Sequence, residues 1–263
     1  MMNALRALWA FRGFILGSVQ REFQSHYRNS LLGIAWMLLN PLAMITVYTV
    51  IFSRIMQTRL PAVEGQFAYS IYLCAGILSW GLFTEIVTRA QNVFLDNANL
   101  IKKLNFPRLC LPVIVVLGAL LNFVILFAVF LGFLLLIGQF PGGRFWALLP
   151  LLGVQTLLAI GLGIVLAVFN VFFRDVGQFS GIALSFWFWC TPIVYPANIL
   201  PDSVARLMAF NPMAILIDLQ QRLFLGGEME LARLAPVLVL ALVLCVLGGA
   251  LFRRHAGEMV DEL

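Results

Sequence analysis

Six long apolar stretches run through this 263-residue chain and restrict what it can fold into. Five carry no charged residue, and the second is interrupted by a single acid, Glu85. The stretches are residues 31–52, 69–88, 111–138, 146–173, 178–195 and 235–252. A bilayer core about 30 Å thick is crossed by roughly 20 helical residues, so each stretch is long enough to span it. The pattern predicts an all-α polytopic membrane protein with six transmembrane helices.

Composition and charge support a membrane protein. With 62% hydrophobic and 11% charged residues, the chain has too little polar surface to cover a soluble globule. Eleven of the seventeen Lys and Arg lie in the N-terminal segment, the loop 89–110, the turn at Arg174 and the C-terminal tail. Cytoplasmic loops carry such an excess of basic residues, so we expect both termini in the cytoplasm. We therefore attribute the net charge of +5 to basic residues that set the orientation in the membrane, and we do not expect nucleic-acid binding.

Two segments are apolar but do not span. Residues 3–22 place apolar side chains on one helical face and Arg6 and Arg21 on the other, which predicts a helix lying in the cytoplasmic interface within residues 1–30. A tail packed on a partner is the alternative. Residues 195–234 are divided by Asn211-Pro212, and each half is too short to cross. We expect a re-entrant helical hairpin between the fifth and sixth spans. The chain then forms one domain, 1–263, with a six-span bundle at 31–252 and a cytoplasmic tail at 253–263.

The loop 89–110 carries an apolar stripe. Asp96 or Asn97 can cap a short helix that must end before Pro107. That helix places Leu100, Ile101 and Leu104 on one side, beside Lys102 and Lys103. The stripe either rests on the membrane surface or inserts into a groove on a partner, and the sequence favours neither.

The sequence contains few residues that could carry out enzymatic catalysis or couple transport to an ion. The four cysteines are isolated, the two histidines have no neighbouring ligand set, and no phosphate-binding loop is present. Glu85 is expected to pair with Arg89 one turn on. A proton-relay role for Glu85 is disfavoured, because a relay needs more than one ionisable group within the spans. We therefore expect no catalytic residue, metal site or cofactor in this chain. A lipid-modifying enzyme and an ion-driven glycan flippase are the disfavoured alternatives.

Aromatic residues are abundant in two spans. The fifth carries Phe186, Trp187, Phe188, Trp189 and Tyr195, and the first carries Trp36 and Tyr48. Trp and Tyr at span ends form interfacial belts in many membrane proteins. Four consecutive aromatics cover all sides of a helix, however, so at least one must face protein or a lumen. Aromatic faces stack on sugar rings, so a saccharide conduit is the second interpretation.

Several motifs together resemble the permease subunit of type-2 ABC exporters, most closely the Wzm-type permeases that export O-antigen polysaccharide. They are REFQSHYRNSLLGIAWMLLNP at 21–41, FAYSIYLCAGILSW at 67–80, NLIKKLNFPR at 99–108, NVFFRDV at 170–176, FWFWCTPIVYP at 186–196 and NP at 211–212. The resemblance implies a homodimer bound to two copies of an ABC ATPase subunit, which holds ATP and Mg²⁺. The cargo would be an undecaprenyl-diphosphate-linked polysaccharide crossing the bacterial inner membrane. Permeases for capsular polysaccharide and teichoic acid are close relatives.

The same resemblance assigns residues to roles. The first and fifth spans line the channel in that family, which here indicates Trp36, Tyr48, Phe186, Trp187, Phe188, Trp189 and Tyr195. The family's coupling helix to the ATPase corresponds here to Asn97, Leu100, Ile101, Lys102, Lys103, Leu104 and Phe106. Arg174 and Asp175 match a family Arg-Asp pair at the cytoplasmic end of the fourth span. They could equally cap and pair at a tight turn.

Overall fold

The computed structural model describes residues 9–28, 67–103, 107–197 and 200–262, with a few isolated positions before residue 48. All the regular elements in these ranges are helical. They are α1 Arg12–Arg28, α2 Ala68–Asp96, α3 Ala98–Lys103, α4 Cys110–Leu136, α5 Leu148–Phe172, α6 Asp175–Trp189, α7 Asp202–Met208, α8 Pro212–Leu225, α9 Leu234–His255 and α10 Glu258–Glu262. Short 3-10 turns, Gly142–Ala147 and Leu231–Arg233, precede α5 and α9.

Four helical segments are long and apolar enough to cross a membrane. They are α2, α4, α5 with its preceding turn, and α9 with its preceding turn. These segments correspond to the second, third, fourth and sixth spans predicted from sequence. The predicted first span, with Trp36 and Tyr48, lies outside the described residues apart from isolated positions.

The fifth predicted span is shorter than expected. Helix α6 has 15 residues, about 22 Å at roughly 1.5 Å per residue, so by itself it does not cross a core of about 30 Å. It ends at Trp189, and the chain turns through residues 190–196. Pro192 explains the stop, because its ring disfavours the helical conformation at Thr191 and supplies no N–H.

Two other helix boundaries also differ from the sequence prediction. Helix α2 continues to Asp96, so residues 89–96, which we expected in a loop, form two further turns of the second span. No Gly or Pro interrupts residues 82–97, and nothing therefore ends the helix earlier. Helix α1, Arg12–Arg28, continues six residues beyond the end of the predicted helix 3–22, and before its first residue Arg6, Trp9 and Ala10 are helical as well.

The bundle is centred on α5, which packs between α2 and α9. Glycines set the close approach on both sides. A Cβ on Gly163 would lie 2.5 Å from the Cβ of Ala90 in α2, and one on Gly161 would lie 2.9 Å from the backbone N of Cys245 in α9. Small residues at such crossings let helices without a hydrophobic driving force gain van der Waals contact.

The segment between α6 and α9 forms the two short helices that the sequence predicted, α7 and α8. Asn211 begins α8, since its Oδ1 accepts from the backbone N of Met213 at 3.1 Å and of Ala214 at 3.3 Å. Gly226 ends it with a φ of 77°. Leu216 and Phe224 on α8 are buried, and Leu207 on α7 is 70% exposed.

The C-terminal tail packs against the bundle. Arg108 donates from Nη1 to the carbonyl of Ala256 at 2.7 Å, and the side chain of Met259 in α10 is buried. Phe252 stacks on Phe94 of α2 with the ring centroids 5.1 Å apart. The tail therefore closes one end of α2 and α5.

Candidate functional site

A groove of about 360 Å³ lies between α2 and α6 and combines aromatic rings with hydroxyl groups. We call it the aromatic–hydroxyl groove. Its lining residues are Trp80, Thr84, Thr88, Gly181, Leu184, Ser185, Phe188 and Trp189. The hydroxyls of Thr84, Thr88 and Ser185 donate to carbonyls one turn back, at 3.0, 2.7 and 3.0 Å, and keep lone pairs that can accept. Ring faces beside hydroxyl acceptors are suited to a ligand with apolar faces and hydroxyl edges, as a sugar has.

The four consecutive aromatics on α6 point in different directions. Phe186 is 70% exposed and Trp189 is 65% exposed. Phe188 is half-buried, with its ring 5.8 Å from that of Trp80. Of the channel-lining residues predicted on this helix, Phe188 and Trp189 line the groove, while Phe186 lies on an exposed surface outside it.

Trp187 faces the protein interior. Its ring packs edge-on against Phe83 at 5.3 Å and against Trp80 at 6.1 Å. Its Nε1 donates to Oδ1 of Asn211 at 2.9 Å, the same oxygen that caps α8. Trp187 therefore fixes α6 to the short helix that follows it.

Tyrosines at the start of α2 hold the turn that follows α6. The hydroxyl of Tyr72 contacts the carbonyls of Pro192 and Tyr195, each at 2.9 Å, and the hydroxyl of Tyr69 donates to the carbonyl of Val194. Tyr195 in turn donates from its own hydroxyl to the carbonyl of Trp189 at 2.7 Å. Tyr195, predicted to line the channel, thus closes the end of α6 in this structure.

Buried glutamines attach α8 to the bundle. Gln155 of α5 accepts from Ser79 of α2 at 2.9 Å and from Gln220 of α8 at 2.8 Å, both at its Oε1. Its Nε2 donates to the carbonyl of Ser79 at 2.7 Å. Gln221 donates to the carbonyl of Tyr72 at 3.3 Å. Because these amides are almost fully buried, their mutual hydrogen bonds fix where α8 sits.

A second buried junction lies at the opposite end of α6. Asn170 of α5 donates to the carbonyl of Gln91 at 3.1 Å and to Oδ1 of Asn92 at 3.0 Å. Its Oδ1 accepts from the backbone N of Gly177 at 3.0 Å, and Ser180 donates to Oε1 of Gln91. This junction was not predicted from the sequence, although polar amides within apolar stretches are the signal that could have indicated it.

Arg174 and Asp175 are exposed at the turn between α5 and α6. Neither makes an ion pair with any residue in the part of the chain that the structure describes. Asp175 lies in the first turn of α6, where a negative charge interacts favourably with the helix dipole. The structure therefore provides a helix-start role for Asp175, and Asn170 makes the buried contacts at this turn.

Glu85 and Arg89 form the ion pair that the sequence predicted, with Arg89 Nη1 and Glu85 Oε1 3.0 Å apart. The pair reaches two further helices. Arg89 Nη2 lies 2.5 Å from Oε1 of Glu22 in α1, and Asn122 of α4 donates to Oε1 of Glu85 at 2.7 Å. Gly118 of α4 provides the space that the Arg89 guanidinium occupies, since a Cβ there would lie 2.7 Å from Arg89 Nη2. The Glu85–Arg89 pair thus joins α1, α2 and α4.

The predicted coupling segment forms the short helix α3 directly after α2. Leu100 and Ile101 pack against a buried cluster of the bundle that includes Phe94 and Leu111. Asn97 donates from Nδ2 to the carbonyl of Val93 at 2.8 Å and so closes the end of α2. Lys102 is exposed. Leu104 and Phe106 lie outside the described residues, and the structure gives only the backbone of Lys103.

Comparison with known proteins identifies the family. The model of the ABC-2 type transporter family matches residues 15–225. The chain belongs to this family. The transporter chain is accordingly a membrane subunit and not an enzyme. The matched region contains the aromatic–hydroxyl groove, the Glu85–Arg89 pair and both buried amide junctions.

Curated relatives of the transporter chain cover most of its length. It is 32% identical over 268 aligned positions to the O-antigen export system permease protein RfbA of Myxococcus xanthus, with the whole of both chains covered. An RfbA permease of Klebsiella pneumoniae is 27% identical over 89% of this chain and 88% of its own. The polysialic acid transport protein KpsM of Escherichia coli is 23% identical over 92% of this chain and 93% of its own.

Proposed function

We propose that the chain is the permease subunit of an ATP-driven exporter that moves lipid-linked O-antigen polysaccharide out of the cytoplasm. The observation that carries this proposal is the full-length similarity to the O-antigen export permease of Myxococcus xanthus, at 32% identity. The proposed assembly is a homodimer in the bacterial inner membrane with two copies of an ABC ATPase subunit. ATP and Mg²⁺ are bound by that ATPase.

The proposed topology has six spans with both termini in the cytoplasm. Residues 31–52 form the first span, and α6 with the following turn forms the fifth. Helices α7 and α8 are the re-entrant hairpin. The 14 residues of α8 are too few to cross a membrane, and ten of them are buried. The glutamine contacts with α2 and α5 satisfy its buried polar groups, as a segment returning through the outer leaflet requires.

In this proposal the aromatic–hydroxyl groove is a stretch of the polysaccharide path. A sliding chain needs contacts that are many, weak and interchangeable, because a strong contact would hold each sugar unit in place. Ring stacking and hydroxyl acceptors provide such contacts. The lining residues of the groove carry no formal charge.

Export of capsular polysaccharide is the second candidate, on the basis of the similarity to the polysialic acid transport protein. The 23% identity to that protein is lower than the 32% to the O-antigen permease over comparable coverage. O-antigen is therefore the favoured cargo.

Deleting the gene in its own host tests the proposal. We expect loss of the O-antigen ladder from surface lipopolysaccharide and accumulation of lipid-linked glycan inside the cell. The wild-type gene should restore the ladder and remove the accumulated glycan. Gly153→Ala is a suitable control allele, since a Cβ at this position meets nothing within 4 Å. An intact O-antigen ladder with loss of a capsule would contradict the proposal in favour of the second candidate.

A further inference from the structure

A second cavity, of about 420 Å³, lies where α1, α3 and the adjoining ends of α2 and α4 meet. Its volume is within the range of about 300–1,000 Å³ that is usual for small-molecule sites. Part of the wall is apolar, formed by Phe14, Leu111, Ile114 and Val115. The rest of the lining includes charged groups. The cavity is thus amphipathic, and in the proposed topology it lies at the cytoplasmic surface of the membrane.

One cation in the lining of this cavity, Arg89, is already paired with two carboxylates. Arg89 is paired with Glu22 at 2.5 Å and with Glu85 at 3.0 Å. Arg21 donates from Nη2 to the hydroxyl of Ser18 at 3.0 Å. Neither Arg21 nor Asp96 makes an ion pair with any residue in the described ranges. The cavity therefore presents one cation and one anion that a ligand can pair with.

We propose that this cavity binds the headgroup of a zwitterionic aminophospholipid, with the phosphate on Arg21 and the primary ammonium on Asp96. The inference rests on the proposed topology, which places the cavity beside lipid headgroups. The apolar wall would receive the start of the acyl chains. On α1, exposed apolar residues such as Leu16, which is 62% exposed, indicate that this helix meets lipid nearby.

The charge pattern selects among phospholipids. An anionic headgroup such as that of phosphatidylglycerol would pair with Arg21 but would leave Asp96 without a cation. A quaternary ammonium, as in phosphatidylcholine, carries no N–H to donate to a carboxylate. A primary ammonium, as in phosphatidylethanolamine, offers three donors and a full charge. The site thus favours phosphatidylethanolamine over both.

Binding at this site would join α1 to the predicted coupling segment. Leu100 and Asn97 also line the cavity, at the start of α3 and the end of α2. A lipid bound there would contact α1 on one side and the junction of α2 and α3 on the other. Together with the contact between Glu22 and Arg89, it would hold α1 against the bundle.

Native mass spectrometry of the purified permease–ATPase complex tests the proposal. The complex is exchanged with equal amounts of phosphatidylethanolamine, phosphatidylcholine and phosphatidylglycerol. We expect roughly tenfold retention of phosphatidylethanolamine over the other two, the factor that one charge-assisted hydrogen bond provides. Asp96→Asn should reduce that ratio to about one, and Arg21→Gln should lower retention of all three lipids. Glu228→Gln, at an exposed acid far along the chain, is the matched control and should behave as wild type.

Equal retention of the three lipids by the wild-type complex would overturn the proposal, as would an unchanged ratio in Asp96→Asn. Stronger binding of a short-chain prenyl diphosphate than of phosphatidylethanolamine would overturn it as well, and would make the cavity a contact for the cargo lipid. The measurement needs neither glycan nor ATP. Lipid selectivity without O-antigen export would therefore reject the proposed function and leave the lipid site standing.

Discussion

The contact between Gly163 of α5 and Ala90 of α2 provides the sharpest test of the packing that holds this bundle together. A Cβ on Gly163 would lie 2.5 Å from the Cβ of Ala90, and the side chain of Ala90 is fully buried. Carbon atoms rest at about 3.5–4.0 Å, so Gly163→Ala would require α2 and α5 to separate by about 1 Å. Overpacking of this kind typically costs about 1–3 kcal/mol.

The expected loss can be measured as a shift in thermal unfolding of the purified complex. A cost of about 2 kcal/mol corresponds to a melting temperature lower by about 4–8 °C in a chain of this size. Gly153→Ala lies in the same helix with open space around its Cβ and controls for the helix propensity of alanine. We expect this control to unfold at or slightly above the wild-type temperature.

A compensating substitution makes the reasoning refutable. Ala90→Gly removes the methyl group that Gly163→Ala would meet, so the double variant should be clearly more stable than the sum of the two single effects implies. Ala90→Gly alone should cost about 1 kcal/mol as a glycine in a helix interior. If Gly163→Ala unfolds at the wild-type temperature, or if Ala90→Gly gives no rescue, this contact does not set the distance between the helices.

Two further predictions concern coupling and transport. Lys102→Glu should reduce co-purification of the ATPase several-fold, since it reverses an exposed charge on the predicted coupling helix. Arg254→Glu, at an exposed site in the tail, is the control. Wild-type stoichiometry in Lys102→Glu would reject the assignment of α3 as the coupling helix. Trp189→Leu should slow O-antigen export only in part while ATPase activity and assembly persist, because the ring, 65% exposed, is one of several weak contacts in the groove. Trp146→Leu is the matched control at 70% exposure, and full export by Trp189→Leu would make Trp189 an interfacial residue.

The spans could be predicted from sequence because apolar length is a local property. Apolar length located the four long helical segments. It also indicated a segment too short to span, which forms α7 and α8, and the Asn211-Pro212 pair marks the start of α8. It overestimated α6, because the residues up to Tyr195 are as apolar as a span although Pro192 ends the helix before them. Hydrophobicity indicates where a chain avoids water and does not indicate where its helix ends.

The contacts between helices could be predicted only where they are local. Glu85 and Arg89 are four residues apart, and their pairing follows from helical geometry. Glu22 and Asn122 join them from α1 and α4, and Asn170 meets Gln91 from 79 residues away. Sequence spacing carries no information about such neighbours. These long-range contacts are nevertheless what fixes the positions of the helices.

The aromatic residues show the same limit within a single turn. Phe186 to Trp189 are consecutive, so periodicity cannot tell which ring faces the interior. The structure separates them by their neighbours: Trp187 is held by Phe83 and Asn211, while Trp189 lies in the groove. Replacing both tryptophans together would therefore mix a packing defect with a pathway defect. The single substitution at Trp189 is the more informative experiment.

Helix α2 connects the features to which we assign a role. Its 29 residues carry one wall of the aromatic–hydroxyl groove, the Arg89 contact with α1 and the Gln91 contact with α5, and they lead directly into α3. Gly163 fixes its distance from α5, while Asn170 ties both helices to the start of α6. A continuous helix moves largely as a rigid body, since its backbone hydrogen bonds resist a change of length. A displacement of α3 by a bound ATPase would therefore reach one wall of the groove through α2, and through Asn170 it would act on the other wall as well.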